Sequence, residues 1–168
     1  MLRRLGAIGA ALAVLLLGLA PASQASVSVV VPANANLGSA TTGTATLTAQ
    51  LGLVTAAGAG LLGVQVTASV ACSDFKTGSG TAAETISKTN VFYWSGPATA
   101  TGLLASVTSG QPTSADQVSC ATSHQAFWAG APLGLLTTSV TWNPTIVIHL
   151  PASAVQGTYT GTVTHTVV

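Results

Sequence analysis

Charge is the scarcest property of this chain. Its 168 residues include only 4 Lys and Arg and 3 Asp and Glu, and two of the cations, Arg3 and Arg4, sit at the start. Beyond residue 25 only Asp74, Lys76, Glu84, Lys88 and Asp116 carry charge, so that part is close to neutral. A neutral surface offers no basic footprint for nucleic acid or anionic lipid. Three carboxylates and three histidines (His124, His149, His165) also leave little material for catalysis, which needs a nucleophile or proton carrier with an orienting partner in reach. The chain lacks a G-x-S-x-G elbow, an H-E-x-x-H helix and a G-x-x-x-x-G-K-[ST] phosphate loop, and the three glycines of G-A-G-L-L-G at 58–63 are read as a plain loop. Its histidines have no metal-ligand spacing to one another. No enzyme activity, cofactor or metal is therefore expected.

Cysteine is nearly absent too, with only Cys72 and Cys120. They are not in a C-x-x-C pair, which argues against a redox or metal role, and two thiols allow a single connectivity. A Cys72–Cys120 disulfide is expected if the chain is exported to an oxidising compartment. Export is what the first residues suggest. Arg3 and Arg4 precede an uncharged Leu/Ala-rich run from Leu5 to about Ala20, followed by small residues, the layout of a secretory signal peptide. Cleavage after Ala25 is the preferred reading and cleavage after Ala22 the competing one. The apolar run is short against the roughly 20 residues of a spanning helix. The expectation is a signal peptide over 1–25 and one domain over 26–168, secreted and with no transmembrane segment after processing.

Hydroxyls and β-branched residues fill the space that charge leaves. Thr alone contributes 25 residues. The last twelve residues read G-T-Y-T-G-T-V-T-H-T-V-V, a strict two-residue alternation. It puts Tyr159, Gly161, Val163, His165 and Val167 on a core-facing side and a row of Thr on the other. His165 is then expected to be half-buried and hydrogen-bonded. His149, opposite in phase to Ile146, Ile148 and Leu150, is expected in solvent. Strands are expected over 27–31, 43–50, 64–72, 85–93, 124–128, 138–142, 145–150 and 158–167, separated by Gly, Pro, Ser and Asn clusters, with a loop at 58–63. Val64, Val66, Ala68 and Val70 share a strand face with Cys72, which should therefore point inward. The segment V-V-V-P-A-N-A from Val29 is echoed by I-H-L-P-A-S-A from Ile148, two similar corners in which a proline stops one strand. Short strands at this spacing imply an all-β fold, an antiparallel Ig-like or Greek-key β-sandwich of roughly seven to nine strands with one disulfide.

In a nearly uncharged domain the natural binding handles are aromatic. Phe92-Tyr93-Trp94 and Phe127-Trp128 place neighbouring rings on opposite strand faces, one inward and one outward. Trp94 before Ser95-Gly96-Pro97, Trp128 before Ala129-Gly130, and Trp142 before Asn143-Pro144 are the candidate ligand contacts, for stacking on a sugar ring. Packing in the core is the competing role for each of them.

The terminal strand carries a family resemblance. Tyr159-Thr-Gly-Thr-Val-Thr-His165-Thr-Val167 resembles the closing Y-x5-W-x-L strand of WxL-type surface domains, with Trp142 placed like their earlier Trp. His165 stands where that pattern has Trp, and Val167 where it has Leu; Trp142-Asn143-Pro144 lacks the Leu of W-x-L. The chain is also similar to small exported actinobacterial proteins sharing V-x-V-P-A-x-A-x-L-G (Val29 to Gly38), L-G-x-V (Leu51 to Val54) and W-N-P (Trp142 to Pro144). The resemblance implies a secreted Gram-positive protein held non-covalently at the cell wall, with cell-wall glycan or peptidoglycan as partner. Low charge and strong β-propensity imply the alternative, a self-assembling surface-coat or adhesin subunit that associates through its strand edges.

Overall fold

The computed structural model describes residues 27–40, 46–58, 66–102, 106–130 and 137–168. The signal peptide expected over 1–25 and both of its cleavage positions lie outside these residues, as does nearly all of the expected 58–63 loop. In chain order the strands are β1 (Val27–Val30), β2 (Thr46–Gln50), β3 (Val54–Gly58), β4 (Val66–Cys72), β5 (Phe75–Lys76), β6 (Thr85–Ile86), β7 (Val91–Trp94), β8 (Thr99–Gly102), β9 (Ser106–Ser109), β10 (Val118–Ser119), β11 (His124–Gly130), β12 (Thr137–Trp142), β13 (Thr145–His149) and β14 (Val163–Val167). The only helical pieces among the described residues are three 3₁₀ turns. No helix there is long and apolar enough to cross a membrane.

All pairings are antiparallel, in the orders β1-β3-β12-β8, β10-β7-β13-β2 and β14-β4-β11-β9, plus a β5-β6 hairpin. The first two sheets are one layer with a crease. Gln50 pairs with Thr145 and Val54 with Trp142, so β2-β3 and β13-β12 run side by side through the bend. β7 and β8 follow on the far side, with Trp94 opposite Thr145 and Thr99 opposite Thr141. Each line bends at the same level, at residues 51–53, 95–98 and 143–144. Gly52 and Gly96 take φ of 95° and 71° there, left-handed values that a side chain resists. The Pro32 ring seats on Gly52 and the Asn143 carbonyl comes 3.1 Å from where a Cβ would stand on Gly96. Leu51 N–H donates to the Pro144 carbonyl across the bend at 2.8 Å. Counted through the crease, the first layer has five strand lines and the second, β14-β4-β11-β9, has four. The fold is thus an antiparallel β-sandwich of about the expected size.

The two layers enclose the core. Val54, Ala56, Val140 and Trp142 from one part of the first layer, and Val91, Tyr93, Ile146 and Ile148 from the other, meet Ala68, Val70, Phe127 and Ala129 of the second. Phe127 and Trp142 cross between layers edge to face at 4.8 Å. Cys72 at the end of β4 bonds to Cys120 just after β10, so the expected disulfide joins one layer to the other.

Two expected strands are shorter than the sequence suggests. Residues 85–93 are interrupted at Lys88–Asn90, where the Ser87 side chain caps a 3₁₀ turn and Asp74 accepts from Lys88 N–H at 2.8 Å. The closing strand begins at Val163 rather than at residue 158. Residues 160–162 pair instead with the β5 region: Lys76 and Thr160 exchange backbone hydrogen bonds, and Phe75 packs on Gly161 where no side chain intervenes. The Tyr159 hydroxyl lies 2.9 Å from the Val155 carbonyl and 3.2 Å from that of Ala83, fixing this crossing to the first 3₁₀ turn, Ala82–Glu84.

Candidate binding face

The three carboxylates are engaged in turns and caps. Asp74 holds Lys88 N–H, as above. Glu84 accepts from the Thr81 N–H and hydroxyl and from the Ser79 hydroxyl, bonds that hold its carboxyl below the ordinary carboxylate range. Asp116 likewise closes a capping box with Thr113. His124 Nε2 lies 2.8 Å from the Ser119 carbonyl, and His149 packs its exposed ring edge-on against Phe92 at 4.9 Å. Among the described residues, no three His, Cys, Asp or Glu side chains gather as a metal site.

Of the three histidines, His165 is the one set against the core. Trp142 Nε1–H donates to Tyr93 Oη at 3.3 Å, which leaves the tyrosine proton free to donate to His165 Nε2 at 3.2 Å. In that relay a neutral His165 with its proton on Nδ1 accepts at Nε2. Burial holds its pKa down at about 4 and pushes the Tyr93 hydroxyl up, the Trp142 donor opposing the latter shift. Trp142 is 1% exposed, between Phe127 and His165, and so belongs to the core rather than to the surface.

The other two tryptophans face outward from opposite layers. On β11 the core positions are Phe127 and Ala129, so Trp128 points to the outer side. It pairs with Thr67 of β4 and with Thr108 of β9. Thr67 in turn exchanges both backbone hydrogen bonds with Val168. Beside this row lie Gln125, Ser69 and Thr166, aligned across the same strands. The outer face of the second layer is therefore a half-exposed indole set among hydroxyls and one amide, with no charged side chain on these positions. On the first layer Trp94 faces outward at the crease, opposite Thr145, with Phe92 and His149 farther along the same side. Sequence alternation turned one ring of each adjacent aromatic pair outward without deciding which; Trp94 and Trp128 are the outward ones, and their Thr neighbours depend on register, which alternation does not give. The molecule is an all-β, disulfide-tied antiparallel sandwich. No family model, curated protein or solved structure matches this chain.

Proposed function

We propose that the protein is a secreted, non-catalytic component of the cell envelope that binds wall polysaccharide non-covalently through the outer face of β14-β4-β11-β9. The observation that carries this reading is the row Thr67–Trp128–Thr108, which puts an indole plane between hydroxyl groups on an uncharged sheet. A pyranose ring has an apolar face that stacks on indole and equatorial hydroxyls that both donate and accept, so this surface suits a neutral glycan. The use of all three carboxylates in backbone caps and turns supports a binding role over catalysis. The disulfide suits an oxidising compartment.

Sedimentation of oxidised residues 26–168 with purified sacculi over a concentration range tests the reading. Saturable pelleting with sacculi alone is expected, weakened about ten-fold in Trp128→Ala, the equivalent of about 1.4 kcal/mol. Protein that stays in solution with sacculi overturns it.

One feature favours a second reading, self-association. Val30, Val31 and Leu53 are 66%, 46% and 61% exposed and gather near the Pro32–Gly52 contact beside the edge strand β1. Exposed apolar groups on a sheet edge are a ready surface for pairing with a second copy. Concentration-dependent pelleting in the wall-free control identifies that behaviour, and Val30→Lys abolishes it.

A further inference from the structure

The crease of the first layer carries polar atoms with nothing to bond to. Trp94 Nε1, Asn143 Oδ1 and Thr145 Oγ1 are all buried and lack a hydrogen-bond partner. Strand register sets Trp94 directly opposite Thr145. Ile146 points into the core, so Thr145 shares the outer side with Trp94, and Asn143 lies two residues before it in the bend. Thr145 is only 3% exposed despite that outward placement, flanked by Trp94 on one strand and by Gln50 on the other. An indole N–H, an amide oxygen and a hydroxyl are thus each buried without a partner along one stretch of the crease. Unpaired buried polar groups destabilise the closed arrangement, so opening it costs less than opening a satisfied one.

Adjacent hydroxyls of a sugar ring are the chemical match, because each accepts from an N–H and donates to an oxygen. Asp74, Glu84 and Asp116 engage their carboxylates in capping and turn bonds, which suits a neutral ligand. We propose that Trp94 is a movable cover over a second glycan-contact site, in which its indole stacks on a pyranose ring while Asn143 and Thr145 bond the ring hydroxyls and exposed Gln50 forms the rim. The proposal rests on the wall-glycan reading above. It adds that the protein binds glycan on both outer faces, Trp128 on one and Trp94 on the other, and so bridges neighbouring strands of the wall.

The test uses the indole N–H resonances of the oxidised, ¹⁵N-labelled protein, whose 3 tryptophans are each assigned by a Trp→Phe substitution. The probe is peptide-free glycan strands released from sacculi by an amidase. The Trp94 and Trp128 signals are expected to shift saturably and the Trp142 signal to stay. Trp94→Phe, which keeps a ring and deletes the donor, is expected to weaken its site about five-fold, as the loss of one hydrogen bond does, read from the side-chain amide signal of Gln50 at the rim. Thr145→Val carries the test if Trp94→Phe fails to fold. Deleting an unpaired hydroxyl should raise the thermal midpoint while weakening the Trp94 response, a combination that a purely structural threonine would not give. Movement of Trp128 alone overturns the second site and leaves the wall-glycan reading standing; movement of neither signal overturns both.

Discussion

At the scale of single residues the core relay Trp142–Tyr93–His165 makes the most direct statement about stability. Burial lowers the His165 pKa to about 4, whereas an unfolded histidine titrates near about 6.5. Between those values the unfolded chain binds the proton and the folded chain does not. Stability is therefore whole above pH ~6.5 and declines as the pH falls toward ~4, by at most about 3 kcal/mol. Urea midpoints at neutral pH and at pH ~4 should differ accordingly, and His165→Gln, which keeps an acceptor without titrating, should flatten the slope. Tyr93→Phe removes the hydroxyl that serves both neighbours and is expected to cost about 2 kcal/mol in the same assay. Gly96→Ala should cost about 1–2 kcal/mol, since its φ of 71° and the nearby Asn143 carbonyl both resist a Cβ. The inward setting of His165 was legible from the T-x-T alternation and the exposure of His149 from its phase. The burial of Trp142 was not, because Asn143-Pro144 reads as the end of a strand, whereas here it is a bend within one.

At the scale of elements the disulfide joins β4 to the segment after β10 across a sequence separation of 48. Restricting a loop of that length in the unfolded chain stabilises the fold by about 4 kcal/mol on the entropic account. Reduction with the fold otherwise intact is expected to lower the urea midpoint by that equivalent, and Cys72→Ser/Cys120→Ser should reproduce it. Most strands with Val, Ile or Thr at alternate positions were legible from sequence: β1, β2, β4, β11, β12 and β13 fall where the pattern puts them. β3, β8 and β9 were not, since V-T-A-A-G, T-A-T-G and S-V-T-S are short and dilute their Val and Thr with Ala, Gly and Ser, and they are held by the strands they pair with. The closing strand was overextended because alternation persists from residue 158, but Phe75 takes the space over Gly161 and draws that stretch to β5.

At the scale of the molecule the scarcity of charge decides how binding should respond to the medium. A surface that recognises its ligand by stacking and neutral hydrogen bonds has few ion pairs for salt to screen. Pelleting with sacculi is expected to change less than about two-fold between roughly 0.1 M and 1 M NaCl, where the Debye length falls from about 10 Å to about 3 Å. A steep loss with salt would instead point to charged wall polymers as the partner. The two-layer architecture was readable from strand spacing and turn residues, because short alternating segments bury one face only by stacking. The crease was not, since it arises from three separate lines bending at a common level. The bond between Cys72 and Cys120 also has a mechanical meaning. Pulled from its ends, the chain cannot pay out the 48-residue separation it closes, about 160 Å of extended length. The edge strands β1 and β14, each paired with one neighbour, would peel from the two sides, and the extension would stop short at the sulfur bridge.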